Sequence, residues 1–135
     1  PITGTGEETR DFPYVGDLVD GLLRAGYFES AIGQSFNLAS GREVKIVDLA
    51  NMVNELIGNE AGIRFVSRRK WDTKRRLWAS IELAKELIGY DPKMPFEEGL
   101  QRTVQWFRDN WEKIEASAEF GPGASSAVRE MVVKR

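Results

Sequence analysis

The residues best suited to chemistry lie in one nine-residue segment, 68–76. Six of its nine side chains are positively charged and only Asp72 opposes them, although the whole chain carries a net charge of −2. The cationic charge is therefore concentrated rather than in excess. Arginines and lysines grouped in this way favour a compact anion, such as a diphosphate, over a long nucleic acid. A solvated basic loop without a ligand is the alternative that the segment alone leaves open.

A second arginine site lies upstream, where Arg10 follows a turn that contains Gly4 and Gly6. Because Arg10 stands beside Asp11, a weak surface ion pair is one interpretation. The other is a fork of N–H donors that binds a phosphate or a carboxylate. The turn lacks the third glycine and the strand-then-helix context of a dinucleotide fingerprint, so we interpret it as a turn only. The nearby acidic residues are too scattered to predict a catalytic pair: Glu7, Glu8, Asp11 and Asp17.

The composition excludes several kinds of active site. The chain has no cysteine and no histidine, so it lacks a thiol nucleophile, the commonest general base and the commonest transition-metal ligands. We predict no catalytic residue, no metal ligand and no cofactor-binding residue. No apolar run is long enough to cross a bilayer, so we expect no membrane partner and a cytoplasmic location by default. The chain opens at Pro1 without a start methionine or a signal pattern, and we expect it to be the remainder of something longer.

Two tryptophans, Trp71 and Trp78, lie in and just after the basic segment. Aromatic side chains among cations can stack nucleic-acid bases, which raises a nucleic-acid interpretation. A nucleic-acid-binding domain is usually basic as a whole, whereas this chain is acidic overall. We therefore predict no nucleic-acid partner.

Hydrophobic side chains recur at helical spacing in four stretches, which predict four helices. The stretches are Val15 to Leu23 with a stop at Gly26, Ile46 to Ile57 with a cap at Gly58, Ser80 to Gly89, and Phe96 to Ile114. Short strands are predicted at Arg10–Tyr14, Ser35–Ala39 and Ile63–Val66. We expect the aromatic stripe of the last helix in the core: Phe96, Phe107 and Trp111.

These elements predict an α/β fold, or α+β for the isolated chain, with helices and a few short strands. At 135 residues and 41% hydrophobic composition, one domain with a genuine core is expected. We place this domain at residues 1–115. The pattern fades afterwards, and residues 116–135 are predicted to be a flexible tail.

Five motifs, in this order along the chain, resemble those of the extended short-chain dehydrogenases/reductases. Residues 4–17 are similar to the family pattern G-x-G-x-x-x-R-D-F-x-x-V-x-D, and residues 36–41 to F/Y-N-x-G-S-G. Residues 68–72 resemble R-R-x-G-D, residues 79–92 resemble A-D-x-S-K-A-x-x-x-L-G-W-x-P, and residues 97–106 resemble E-E-G-L-x-x-T-x-x-W. Two positions depart from the family, since Ala39 and Trp71 stand where glycine is usual.

The resemblance implies the C-terminal, substrate-binding portion of an NAD-dependent nucleotide-sugar epimerase or dehydratase, as in the UDP-glucose 4-epimerase group. It implies that Arg10 and Arg69 bind the diphosphate of a nucleotide sugar, with a UDP-sugar as the expected ligand. It also implies that Asn37 and Asp72 support the two arginine loops.

The family's NAD site lies in an N-terminal Rossmann half with a glycine fingerprint and a Tyr-x-x-x-Lys pair. Neither pattern is present in this sequence. The resemblance thus implies NAD in the parent family but none bound by this chain alone, and no hydride transfer by it.

A second interpretation is a non-catalytic module of the same fold that associates with itself or binds another protein. In the parent family the strand near residues 36–39 joins the large sheet of the Rossmann half. Without that half, sheet edges and apolar faces would be exposed, which invites pairing between chains. The hypothesis is a homodimer, or an exchange of elements, that covers them.

Overall fold

The computed structural model describes residues 1–117. Its helices are Val15–Tyr27 (α1), Ile46–Ile57 (α2), Glu82–Ile88 (α3) and Phe96–Ser117 (α4), with a short 3₁₀ turn at Glu29–Ala31. Helices α2 and α3 end at Gly58 and Gly89, whose φ angles of 67° and 63° are left-handed. Glycine adopts this conformation without the steric cost of a Cβ. The four predicted helices and the glycine caps at 58 and 89 are confirmed, whereas α1 continues past the predicted stop at Gly26 to Tyr27 and α3 begins at Glu82 rather than at Ser80.

Five two-residue strands form two small sheets in the described part of the chain. They are Ile2–Thr3 (β1), Thr9–Arg10 (β2), Val44–Lys45 (β3), Phe65–Val66 (β4) and Arg76–Leu77 (β5). Strand β1 pairs in parallel with β4. Strand β2 lies centrally between β3, which is antiparallel, and β5, which is parallel. This register sets Arg10 directly opposite Leu77, at the end of the basic segment.

The core sits where α1 meets α3 and the connector that follows it. Ala84, Ile88 and Tyr90 are fully buried there, and the Tyr90 hydroxyl donates to the carbonyl of Ala39 at 2.9 Å. A Cβ on Gly21 of α1 would lie 2.9 Å from the Tyr90 ring and from Leu38, so the missing side chain permits this close approach. Burial raises the pKa of the Tyr90 phenol.

The strand predicted at Ser35–Ala39 is wrong for this structure, because residues 35–39 pair with no strand among the described residues. Residues 35–38 also make no backbone–backbone hydrogen bond to any other described residue. An apolar, β-prone composition is not sufficient to form a strand. A strand also needs a neighbouring backbone with which to form ladder hydrogen bonds, and residues 1–117 do not supply one here.

The chain divides into two compact units, the first over Pro1–Arg102 and the second from Thr103 onward. In the described part of the second unit, three aromatic side chains of α4 are about half exposed: Trp106, Phe107 and Trp111. The core position expected for Phe107 and Trp111 is therefore wrong, whereas Phe96 packs against Phe12 with ring centroids 5.7 Å apart in the first unit. The predicted tail lies almost wholly outside the described residues, and the boundary at residue 115 stays a prediction. None of the helices described is long and apolar enough to cross a bilayer.

Candidate functional site

Arg10, in strand β2, is hydrogen-bonded to the end of the basic segment. The Nη1 of Arg10 donates to the carbonyls of Thr9 at 2.7 Å and Arg75 at 3.4 Å. Its Nη2 donates to the carbonyl of Lys74 at 3.2 Å and forms an ion pair with Asp72 at 3.5 Å. The side chain is 21% exposed. Arg10 thus holds the returning backbone of the basic segment and keeps one edge open to solvent.

Asp72 links Arg10 to the turn that carries Arg69. Its carboxylate lies 3.5 Å from Arg10 Nη2 and 3.9 Å from Arg68 Nη2. Its backbone N–H donates to the carbonyl of Arg69 at 3.1 Å, which closes a tight turn. Asp72 therefore contacts the side chain of Arg10 and the backbone of Arg69, the two predicted diphosphate ligands, while the ligand-binding role of all three stays a prediction.

Arg69 is the exposed arginine of this turn. Its guanidinium carbon lies 5.2 Å from the centroid of the Trp71 ring, within the range of a cation–π contact. Its side chain makes no hydrogen bond or ion pair to any of residues 1–117. The N–H donors of Arg69 are accordingly available to an anion from solvent.

Arg76, at the other end of the basic segment, is bound by a carboxylate of the fold, that of Glu43. Its Nε donates to both carboxylate oxygens of Glu43 at 2.7 Å, and its Nη2 also bonds to Glu43. Thr9 donates to the same carboxylate at 2.6 Å. The hydrogen bonds from Arg76 first and then from Thr9 lower the pKa of Glu43, and the hydrogen bond to Glu43 raises the pKa of Arg76. Arg76 therefore joins β5 to the segment before β3.

Asn37, the other predicted support, contacts the segment before α3 rather than either arginine. Its side-chain amide donates to the carbonyl of Ser80 at 3.3 Å, and it makes no hydrogen bond to Arg10 or Arg69. The neighbouring turn is held by Asp11, whose two carboxylate oxygens accept the backbone N–H groups of Ser40 at 2.8 Å and Gly41 at 3.0 Å. Asp11 is thus the residue that ties this turn to the strand of Arg10.

Glu8 is a residue of the site that the sequence reasoning set aside. It is 7% exposed and is the only charged side chain buried in the described part of the chain. Its carboxylate accepts the N–H of Gly6 at 3.0 Å and lies 4.0 Å from Arg68 Nη1. The pKa of Glu8 is lowered, first by its own backbone N–H and then by Gly6 and Arg68, against the opposing effect of burial.

The glycine-containing turn is shaped around this carboxylate. Gly4 has a φ of +93°, and a Cβ there would lie 2.7 Å from Glu8 Oε1. Two glycines closely followed by a carboxylate are the signal that could have identified Glu8. The site as a whole offers fixed positive charge and N–H donors, an arrangement that can bind an anion.

The chain is similar to proteins that act on nucleotide sugars. No protein-family model matches it. A UDP-glucuronic acid decarboxylase of Xenopus tropicalis is 39% identical over 111 residues, which cover 82% of this chain and 26% of that protein. The chain thus spans about a quarter of this curated relative.

Two solved structures share its fold. An epimerase from Methanothermobacter thermautotrophicus is 49% identical with a TM-score of 0.85, covering 89% of this chain and 36% of that one. A UDP-glucuronic acid 4-epimerase from Bacillus cereus, in complex with UDP-4-deoxy-4-fluoro-glucuronic acid and NAD, is 27% identical with a TM-score of 0.72. That match covers 80% of this chain and 34% of the epimerase.

Proposed function

We propose that this chain, which corresponds to the C-terminal portion of the extended short-chain dehydrogenases/reductases, holds the diphosphate of a nucleotide sugar. Its relatives within that family are NAD-dependent nucleotide-sugar epimerases and decarboxylases. The family correspondence and the α/β fold agree with the expectations from the motifs.

The observation that carries the proposal is the connection of Arg10 to Arg69 through Asp72. One arginine is fixed to the backbone of the basic segment and the other has unused donors on an adjacent turn. Two of the four contacts of Arg10, to the Arg75 carbonyl and to Asp72, are long at 3.4 and 3.5 Å. In the proposal a phosphate oxygen takes the place of the long contact to the Arg75 carbonyl, while Arg69 offers its fork to the second phosphate.

A UDP-sugar is the proposed ligand, because the Bacillus cereus neighbour is in complex with one and the Xenopus tropicalis relative is named for acting on another. The Gly4–Gly6 turn gives no support for an NAD phosphate site. It directs the Gly6 N–H to the carboxylate of Glu8, so that donor is already used. We therefore assign NAD to the family and not to this chain, and we expect no hydride transfer from these residues alone.

Isothermal titration of the 135-residue chain with UDP-glucose, UDP and NAD tests the proposal. We expect both UDP species to bind and NAD to give no heat of binding. Arg10→Ala and Arg69→Ala should each weaken UDP binding by roughly tenfold or more, as expected for a lost charge-assisted hydrogen bond. Lys85→Ala, which removes an exposed charge on α3, is the control and should leave the affinity unchanged.

Two outcomes would contradict the proposal. The first is a folded chain, verified by circular dichroism, that binds neither UDP species. The second is an affinity for UDP that neither arginine variant changes.

A second candidate function, self-association or binding to another protein, is favoured by one face of α1. Apolar side chains at helical spacing are exposed on this helix: Val15, Val19, Leu22, Leu23 and Tyr27. The unpaired backbone of residues 35–38 belongs to the same unit. A homodimer that covers these groups, with no response to nucleotide, would favour this candidate over the first.

A further inference from the structure

We infer that Trp71 is a positioning residue that holds the Arg69 guanidinium in place for an anion. The inference rests on the proposed function, because Arg69 is one of its two diphosphate ligands. It concerns one of the two positions at which this chain departs from the family motifs, where a glycine is usual.

The geometry of the turn places the two side chains together. The N–H of Asp72 donates to the carbonyl of Arg69, and the N–H of Thr73 donates to the carbonyl of Trp71, both at 3.1 Å. The Arg69 guanidinium carbon then lies 5.2 Å from the Trp71 ring centroid. An arginine can rest on the face of an aromatic ring through its delocalised charge while its N–H groups remain free to donate.

A second arginine–tryptophan pair with the same spacing provides an internal comparison. Arg76 lies over Trp78 with its guanidinium carbon 5.5 Å from the ring centroid. Its Nε and Nη2 donors are bonded to the carboxylate of Glu43, whereas the side chain of Arg69 has no hydrogen-bond or ion-pair partner among residues 1–117. Of the two similar pairs, the Arg69–Trp71 pair is the one whose cation has no carboxylate partner in the described chain, so it is the one suited to an external anion.

The exposure of Trp71 argues against a packing role. The residue is 74% exposed, and its only aromatic or cation contact within the described chain is with Arg69. Burial of the indole therefore adds little to stability. What the ring supplies is an aromatic surface for a long side chain, and this contact reduces the rotamer freedom that Arg69 must lose when an anion binds.

The test is a double-mutant cycle on UDP affinity, measured by isothermal titration of the full chain. Trp71→Leu should weaken UDP binding by about two- to fivefold, since it removes the aromatic face, and Trp71→Phe should restore most of the loss. In an Arg69→Ala background, Trp71→Leu should have no further effect. Trp78→Leu is the matched control and should leave the affinity unchanged. Thermal unfolding of Trp71→Leu should match that of the wild type.

A ligand-free measurement keeps the inference separate from the proposed function. In proton NMR spectra, ring current should shift the Cδ protons of Arg69 upfield, and Trp71→Leu should abolish the shift. An unchanged Arg69 signal in that variant overturns the inference. Undiminished UDP affinity of Trp71→Leu, or an equal loss in the Arg69→Ala background, overturns it as well, while the proposed function stands. A chain that binds no UDP contradicts the proposed function, and the Arg69 shift then decides whether the ring holds the arginine.

Discussion

Charged side chains alternate in sign across the site. Glu8 lies 4.0 Å from Arg68, Arg68 lies 3.9 Å from Asp72, and Asp72 lies 3.5 Å from Arg10. The Nε and Nη2 atoms of Arg68 are buried and have no hydrogen-bond partner among residues 1–117. Arg68 is therefore held mainly by the carboxylates of Glu8 and Asp72. Arg68 is the first residue of the basic segment, and the side chain of the next residue, Arg69, is exposed to solvent.

Glu8→Gln tests this arrangement through pH. The folded-state pKa of Glu8 is lowered from its ordinary value of 4.5. The ionised carboxylate thus contributes stability above the pKa of the unfolded chain, and the contribution is lost as pH falls through the folded-state pKa. We expect Glu8→Gln to lower the free energy of unfolding at pH 7 and to weaken its dependence on pH below about 4.5.

Urea denaturation between about pH 7 and pH 3 measures this effect. Glu86→Gln, at an exposed position of α3, is the control and should retain the wild-type dependence on pH. Identical acid profiles for the wild type and Glu8→Gln would show that the buried carboxylate does not stabilise the fold through its charge.

At the scale of the elements, two-residue strands set the position of the site. Strand β5, at the end of the basic segment, pairs with β2, the strand that carries Arg10. Strand β4, just before the segment begins, pairs with β1 and accepts a hydrogen bond from Gly4 in the turn that precedes β2. Helix α1 is held against α3 by a separate contact with the Tyr90 connector. That contact contains none of the proposed ligand-binding residues.

Gly21→Ala tests the contact between α1 and the connector. Alanine favours a helix by up to about 1 kcal/mol over glycine, but a Cβ here would meet Tyr90 and Leu38 at 2.9 Å. Overpacking of this kind costs roughly 1–3 kcal/mol, so we expect a net loss of stability. Gly26→Ala, in the same helix with no atom within 4 Å of the added Cβ, should be neutral or stabilising by up to about 1 kcal/mol.

The urea midpoints of the two alanine variants show which effect is larger at position 21, the helix propensity of alanine or its steric clash with Tyr90 and Leu38. Equal stabilisation by both substitutions would mean that α1 does not pack against Tyr90 as the structure describes.

The sequence was informative where local rules determine the structure and less so where distant residues do. Helix periodicity and the glycines at 58 and 89 predicted α2 and α3, since both signals are local. The strand at 35–39 depended on a neighbouring backbone that no local pattern reveals. Ser80, the partner of Asn37, and Arg68, the cation beside Glu8, likewise lie far from those residues in the sequence. The clustering of Arg10, Asp72 and Arg69 could be anticipated only through the family motifs.

At the scale of the whole molecule, the first unit leaves much of its apolar surface uncovered. The exposed face of α1 includes Leu23, which is 69% exposed. Monomeric proteins seldom expose large contiguous apolar patches, so this face is the proposed contact for a second copy.

Leu23→Lys should reduce self-association of the chain without changing its UDP affinity, because α1 carries none of the proposed ligand-binding residues. Light scattering over a range of protein concentrations measures the change in mass. Leu83→Lys, at an exposed leucine of α3, is the control and should associate as the wild type does. A wild-type chain that stays monomeric at high concentration would contradict the proposed homodimer.

The most direct test of the central proposal is an NMR titration of the isotope-labelled chain with UDP, following the arginine Nε–Hε and backbone amide signals. We expect the side-chain signals of Arg10 and Arg69 and the amide of Asp72 to shift first and to saturate together. Arginine signals that do not move at saturating UDP, or shifts confined to the helix around Trp106 and Trp111, would contradict the assignment of this site to the diphosphate.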